Sequence, residues 1–242
     1  MRRLYKNLDR KIKKGGTIIK VTMDHDKIVS KNEENLRFFN RWSKTYDWTP
    51  FQWWMRAFHG PIKANIDYSQ PFTLLDISCG TGELLRSIFN KSRGEAQLSG
   101  FDLSEKMLDK ARAKLPTAIQ LQQGDVHQLP YRQDSFDYVV TTEAFHHFAD
   151  QERALREMKR VAKNHGYVAV ADINFFFPWI HKIFERFEPG CVKVNSKEEM
   201  TALFKRAGLH IERQERHGLF SVTTIAKKSL THTEKKQKKE KI

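Results

Sequence analysis

The spacing of apolar and polar residues in the middle of the chain predicts alternating strands and helices. Short apolar runs typical of buried strands are TLLDIS from Thr73, LSGFDL from Leu98, AIQLQQGD from Ala118, FDYVVTT from Phe136 and YVAVADIN from Tyr167. Between them lie segments whose apolar residues recur at helical spacing, such as Leu84, Leu85 and Ile88. Strands and helices that alternate through short links predict a mostly parallel sheet covered on both faces.

The end of this region carries signals of a different kind. Ser196 and Glu199 form a capping box for a helix that Gly208 stops. Two strand-like stretches then flank His217-Gly218, which is a hairpin signal. We therefore expect an α/β domain of the Rossmann-like, doubly wound type, with a mostly parallel seven-stranded sheet and a C-terminal antiparallel hairpin.

Two aromatic segments flank the predicted strands. Residues 23–70 are expected to form an N-terminal helical cap, whose aromatic residues include Phe38, Phe39, Trp42, Tyr46, Trp48, Phe51, Trp53 and Trp54. This cap either packs on the domain or also closes a ligand pocket as a lid. Within the core of 71–226, an insertion at about 175–195 places Phe176, Ile180, Phe184 and Phe187 at the spacing of one helical face. It is either a packed helix or an apolar lid.

Charge is concentrated at the two ends of the chain. Of a net charge of +14, residues 1–22 carry +7 and residues 227–242 carry +5, which leaves +2 on the body. Both ends are expected to be disordered basic arms; whether 1–22 belong to the mature protein stays open. The nearly neutral body argues against a nucleic-acid groove within the fold, while the ends favour weak contact with RNA or a membrane surface.

Other compositional features narrow the class of protein. No apolar run reaches the roughly 18 residues of a membrane-spanning helix. Two cysteines, Cys79 and Cys191, form neither a disulfide framework nor a four-ligand zinc site. We therefore expect a cytoplasmic protein.

The stretch Asp76-Ile77-Ser78-Cys79-Gly80-Thr81-Gly82 follows the first strand and opens a helix. Small residues at such a turn let a ligand approach the backbone and the free N–H groups of the helix. Leu85 stands where a dinucleotide fingerprint needs its third glycine, which argues against NAD. Asp102 and Asp125 end the next two strands, so three acids converge on one crevice, where Asp102 is suited to ribose hydroxyls.

These residues resemble the motifs of class I S-adenosylmethionine-dependent methyltransferases, in particular the branch with the ubiquinone and menaquinone methyltransferases. The resemblance runs from about Phe39 to Thr224, and its motifs are Leu75–Gly82, Gly100–Ser104, Gly124–Val126 and Ser135–Val140. Ser78 stands in place of the first glycine that is usual in the family.

The resemblance implies S-adenosylmethionine as the cofactor and a role for each matching residue. The methionine part of the cofactor would be surrounded by Asp76, Ser78, Gly80, Thr81 and Gly82. The ribose would be held by Asp102, and the adenine would be contacted by Leu103, Met107, Asp125 and Val126. The sulfonium would lie near Thr141. Tyr46, in the helix that folds over the cofactor in relatives, is a candidate contact. His146 and His147 are catalytic candidates as substrate-orienting groups or a general base; the alternative is hydrogen-bonded loop histidines. Adjacent histidines are expected to point apart, so no metal site is predicted.

The implied reaction is direct in-line methyl transfer to a small aromatic, quinone-like or lipid-like acceptor. Two alternatives stay open: a tRNA-modifying methyltransferase, and a non-enzymatic protein that binds S-adenosylmethionine. The oligomeric state and the acceptor atom are not determined by the sequence.

Overall fold

The computed structural model describes residues 18–47 and 49–228, and its centre is a seven-stranded sheet. The strands are β1 (Thr73–Ile77), β2 (Gln97–Asp102), β3 (Gln120–Gln123), β4 (Phe136–Thr142), β5 (Ala162–Ile173), β6 (His210–His217) and β7 (Ser221–Lys227). Their order is β3-β2-β1-β4-β5-β7-β6. The first five strands pair in parallel, and the hairpin of β6 and β7 joins β5 antiparallel. The predicted fold class is confirmed.

Helices cover both faces of this sheet. They are α1 (Ile18–Trp42), α2 (Thr49–Ala64), α3 (Glu83–Lys91), α4 (Glu105–Lys114), α5 (Gln151–Val161), α6 (Pro178–Phe187) and α7 (Lys197–Arg206). One apolar cluster packs α5 and α7 on the sheet, and a second packs α2, α3 and α4 on it. The strand order reverses between β1 and β4, which is where ligands bind in open α/β sheets, outside the carboxyl ends of the strands.

Parts of the two basic segments that were expected to be disordered belong to regular structure. Helix α1 begins at Ile18, inside the segment 1–22 that was expected to be disordered, because residues 17–42 contain no glycine or proline to stop it. Lys227 belongs to β7, and Lys228 is buried, with Nζ 2.6 Å from Asp134 Oδ1. The remaining parts of the two predicted arms, 1–17 and 229–242, lie outside the described residues.

The insertion at 175–195 contains α6, but the predicted single apolar face is wrong. Pro178 occupies the first turn, so the helix begins after Phe176. Phe176 and Phe187 are exposed, and of the four residues only Ile180 and Phe184 are partly buried. None of the described helices is long and apolar enough to cross a bilayer.

Candidate active site

The turn between β1 and α3 depends on residues that tolerate a left-handed backbone. Ser78, Gly80 and Gly82 have φ angles of 57°, 54° and 83°. Ser78 thus adopts the conformation that glycine takes without steric cost, and its Cβ did not prevent the turn. A Cβ on Gly82 would lie 2.6 Å from Leu115 Cδ1, so Gly82 allows α3 to approach the end of α4.

Asp102 links this turn to the next strand. Its Oδ2 accepts a hydrogen bond from the Gly80 amide, and its Oδ1 accepts one from the Ser104 amide, both at 2.8 Å. Each oxygen keeps one lone pair for a ligand. Burial raises the pKa of Asp102 to about 6, and the amide hydrogen bonds oppose that shift only in part.

A cavity of about 720 Å³ lies against Asp102 at the carboxyl ends of β1, β2 and β4. We call it the cofactor cavity, after the ligand that the sequence predicts there. Predicted site residues that line it are Tyr46, Ser78, Gly80, Asp102, Leu103, Met107, Asp125, Val126 and His147. Glu143 adds a third carboxylate to those of Asp102 and Asp125, and no lysine or arginine occurs among the described lining residues. Such a cavity favours a ligand with positive charge and disfavours a pyrophosphate.

Asp125 has a local partner as well as a place in the cavity wall. Its Oδ1 lies 2.5 Å from His127 Nδ1 and accepts a hydrogen bond from the His127 amide. Since His127 Nε2 accepts from the Asp150 amide, Nδ1 carries the proton and donates to Asp125. This pairing fixes the carboxylate beside the space where the adenine is predicted.

Asp76 borders a smaller adjoining cavity, which shares Tyr46, Ser78 and Thr142 with the first. Its carboxylate is buried, Oδ1 has no hydrogen-bond partner, and burial followed by the charge of Asp102 raises its pKa well above the ordinary value. Thr81 also borders this space. A positively charged or donor group of a ligand would satisfy the orphaned oxygen.

The N-terminal segment covers the crevice through three polar links. Asn35 Nδ2 donates to the His147 carbonyl at 2.9 Å, and Ser104 Oγ donates to Asn40 Oδ1 at 2.7 Å. Thr81 Oγ1 donates to Asp47 Oδ1 at 2.7 Å. The side of the crevice that the sheet leaves open is therefore closed by α1 and the residues after it.

Tyr46 lies at the centre of this cover. A Cβ on Gly80 would lie 3.6 Å from its ring, and the Tyr46 ring packs edge-on against Trp42 with centroids 4.9 Å apart. Tyr46 borders the cofactor cavity and the Asp76 cavity alike. The segment lies over the crevice, and its role as a lid stays a prediction. Trp48 and the side chains of Phe51, Trp53 and Trp54 lie outside the described residues.

A further cavity of about 580 Å³ adjoins the first on the other side of Tyr46. Apolar side chains form most of its wall: Phe39, Trp42, Met55, Ile173 and Phe184. Its polar residues are Glu143, His146, His147 and Glu188. It shares Phe39, Tyr46, Glu143 and His147 with the first cavity, and we call it the acceptor cavity for the role proposed below.

His146 and Asp172 form a buried pair at this cavity. His146 Nδ1 lies 2.7 Å from Asp172 Oδ1, and since a carboxylate only accepts, Nδ1 carries the proton and Nε2 remains to take up another. Burial opposes protonation, but the charge and hydrogen bond of Asp172 outweigh it and raise the pKa of His146. Asp172 lies one residue before the end of β5 and was missed in the sequence, where its only signal was an acid near the end of the fifth strand.

The pKa of His147 is shifted in the opposite direction to that of His146. Burial, followed by the charge of His146, holds the pKa of His147 well below its ordinary value. The expectation that the two rings diverge is wrong: their centroids are 4.1 Å apart, because both lie in one tight 3-10 turn. With Glu188 they form a cluster whose donor atoms lie within 4.8 Å of one another, and the absence of a metal site stays a prediction.

Two predicted contacts line none of the three cavities. Thr141 lies inside β4, fully buried between β1 and β5, and Thr142 lines the cofactor cavity in its place, because adjacent strand residues point to opposite faces. Gly82 serves the turn and helix packing. The sequence also gave no sign of Asn32, Asn35 and Glu143, which line the cavity.

Part of the chain is similar in sequence to known methyltransferases. Residues 75–170 match the family described as "Methyltransferase domain". The demethylmenaquinone methyltransferase of Desulfitobacterium hafniense is 29% identical over 165 residues, covering 57% of this chain and 65% of that protein. The demethylmenaquinone methyltransferase of Thermotoga maritima is 34% identical over 103 residues, which cover 43% of this chain and 44% of that protein. The chain thus matches less than two thirds of the length of these relatives.

Solved structures share the fold over a longer part of the chain. The putative methyltransferase of Haloferax volcanii, solved in complex with the Trm112 methyltransferase activator, gives a TM-score of 0.70 at 22% identity, covering 79% of this chain and 98% of that one. A SAM-dependent methyltransferase from Aquifex aeolicus gives a TM-score of 0.63 at 20% identity, and the match covers 78% of this chain and 97% of that one. By its matched domain and its fold, the chain resembles the class I S-adenosylmethionine-dependent methyltransferases, and the demethylmenaquinone methyltransferases among them.

Proposed function

We propose that this chain transfers a methyl group from S-adenosylmethionine to a hydroxylated aromatic ring of quinol type. The observation that carries the proposal is the pair of adjoining cavities that meet at Tyr46. One is acidic and has no lysine or arginine among its described lining residues, and the other is mainly apolar with a buried His146–Asp172 pair.

The residues of the first cavity fit S-adenosylmethionine. The free lone pairs of Asp102 suit the two ribose hydroxyls, and Leu103, Met107 and Val126 offer apolar surface to the adenine. The orphaned oxygen of Asp76 suits the amino group of the methionine part. When bound, the cofactor supplies an electrophilic methyl group on a sulfonium, whose positive charge the ring of Tyr46 can stabilise.

The acceptor cavity explains how this chain would activate a quinol. Phe39, Trp42 and Phe184 can enclose a flat apolar ring, and His146 Nε2 can remove the proton of a ring hydroxyl. The proton then resides on His146, and Asp172 stabilises the resulting imidazolium. The deprotonated ring has more electron density on its oxygen and ring carbons, so either becomes a better nucleophile for the methyl group. The similarity to demethylmenaquinone methyltransferases supports a quinone-like acceptor.

The test is methyl transfer from labelled S-adenosylmethionine to a reduced, short-chain demethylated naphthoquinol, with tRNA as a parallel acceptor. Label in the quinol is expected, and His146→Ala should lower kcat by about 10²- to 10⁴-fold, the usual contribution of a general base. Wild-type activity should fall as pH drops through the pKa of His146, because the protonated imidazole cannot act as a base.

His210→Ala, at an exposed position on β6, is the matched control and should leave kcat unchanged. Label in tRNA alone would assign the chain to RNA modification. Binding of the cofactor without transfer to either acceptor would contradict the quinol proposal and favour a non-enzymatic role.

A further inference from the structure

The exposed apolar surface of the described residues is concentrated beside the acceptor cavity. Among the side chains whose exposure the structure describes, the exposed large hydrophobic ones lie within 176–192 or at Leu219: Phe176, Phe177, Trp179, Ile183, Phe187, Val192 and Leu219. The Phe176 amide donates to the Leu219 carbonyl at 3.1 Å, so the hairpin tip adjoins the start of the insertion. Scattered single hydrophobic residues need no explanation, but a concentration of this kind marks an interaction surface.

Helix α6 presents two different apolar faces. Trp179, Ile183 and Phe187 recur at every fourth position and are 61%, 47% and 76% exposed. Phe184 points the other way: it lines the acceptor cavity, and its ring lies 6.0 Å from that of His146. One helix therefore separates the acceptor cavity from an exposed apolar stripe.

The aromatic residues before α6 extend this stripe. The rings of Phe177 and Trp179 stack with centroids 6.4 Å apart, and Phe176 packs edge-on against Phe177. The guanidinium of Arg216 lies 5.6 Å from the centre of the Phe176 ring. We call the exposed residues Phe176, Phe177, Trp179, Ile183, Phe187 and Leu219 the apolar rim.

The charges on α6 are arranged asymmetrically around the apolar rim. Lys182 and Arg186 are exposed and follow Trp179 and Ile183 by three positions, so they flank the stripe. Glu185 is turned inward, where it accepts a hydrogen bond from the Val194 amide at 2.8 Å, and Glu188 is half-buried beside His146. A partner of the rim thus meets apolar surface bordered by positive charge.

We propose that the apolar rim inserts into the interfacial region of an anionic phospholipid bilayer. Exposed Trp, Phe and Leu side chains bordered by Lys and Arg are the composition of helices that lie in a membrane interface. The net charge of +14 adds attraction to an anionic surface. The consequence for the proposed function, on which this last point rests, is that a lipid-borne acceptor would enter the acceptor cavity past α6 from the bilayer.

Sedimentation with vesicles tests this surface without any reference to catalysis. The full chain should partition onto vesicles of phosphatidylcholine with phosphatidylglycerol, and much less onto phosphatidylcholine alone. Trp179→Ser with Phe187→Ser should weaken partitioning by at least about tenfold, since two large apolar side chains no longer leave water. Both positions are exposed, so the melting temperature should not fall.

A charge test separates the rim from general attraction of a basic protein. Lys182→Glu with Arg186→Glu should reduce binding to the level on neutral vesicles. Lys106→Glu with Lys205→Glu, at exposed positions on α4 and α7, makes the same change in net charge and should reduce binding much less. Equal losses in the two double variants would contradict docking through the rim.

Two further results would overturn the proposal. One is a wild-type protein that stays in the supernatant with anionic vesicles. The other is a dimer in sedimentation velocity that Trp179→Ser with Phe187→Ser dissociates, which would assign the rim to a second copy of the chain. Methyl transfer to a water-soluble quinol should persist in the rim variants, so failure of docking is distinguishable from failure of the proposed reaction.

Discussion

At the scale of single residues, Asp102 joins three parts of the site. Its carboxylate holds the glycine turn through the Gly80 amide and the start of α4 through the Ser104 amide, and it faces the cofactor cavity. The cost of burying this charge without a ligand appears as its raised pKa. A ligand that donates hydrogen bonds to the carboxylate lowers that cost, so protonation and ligand binding must compete.

The affinity for S-adenosylhomocysteine should therefore depend on pH near 6. Above about pH 7 the carboxylate is ionised and affinity should be constant; below the pKa of about 6 it should fall by up to about tenfold per pH unit, because the proton must leave first. Calorimetry at pH 6 in buffers of different ionisation enthalpy should show proton release on binding. Asp102→Asn should bind more weakly and lose this pH dependence; an unchanged profile would mean that another group is titrating.

The same pKa has the opposite consequence for stability of the ligand-free protein. The folded state holds the proton of Asp102 more tightly than the unfolded state does. This contribution to the free energy of unfolding is therefore present at low pH and is lost as pH rises through about 6.

Sequence spacing identified acids at strand ends but not the partners that lie across the sheet. Asp76, Asp102 and Asp125 were predictable because each lies within two residues of the carboxyl end of a parallel strand. Thr141 was misplaced by one residue, which reverses the face of a strand. The His146–Asp172 pair joins positions 26 residues apart, and only the pairing of β4 with β5 and the turn after β4 brings them together.

At the scale of elements, α1 and the segment through Asp47 complete a site that the sheet leaves open. The aromatic pattern predicted such a cover. It did not predict the polar links of Asn35, Asn40 and Asp47, because their partners lie in three separate turns. Nor did the α6 pattern show which aromatic residues face inward, since Pro178 fixed the start of the helix.

Replacement of Tyr46 tests this cover. Tyr46→Ala should lower methyl transfer by about 10²-fold, because the wall between the two cavities is lost and the methyl group is no longer held in line. Phe38→Ala is the matched control: Phe38 is a half-buried aromatic of α1 that lines neither cavity, so activity should be nearly unchanged. Melting temperatures should show whether either variant has lost stability. Equal activity in wild type and Tyr46→Ala would leave the segment as packing alone.

At the scale of the whole molecule, the two cavities and the neighbouring surface differ in polarity. The cofactor cavity is acidic, the acceptor cavity is mainly apolar, and the exposed hydrophobic residues of the described chain gather beside the latter. The mostly parallel sheet and its C-terminal hairpin were predictable from the sequence pattern. The strand order comes from the structure, and its reversal between β1 and β4 gives the site its position. The exposed apolar surface around α6 was not predictable from the sequence, because the exposure of its side chains depends on how the insertion packs.

The central claim is that the acidic cavity binds S-adenosylmethionine through Asp102, and calorimetric titration of the purified chain tests it most directly. S-adenosylmethionine and S-adenosylhomocysteine should each bind one per chain, and NAD should not bind. Asp102→Ala should weaken both by about 1.5–3 kcal/mol through loss of charge-assisted hydrogen bonds, while Asp109→Ala, at an exposed acid on α4, should not. Comparable binding of NAD, or an unchanged affinity in Asp102→Ala, would contradict the account.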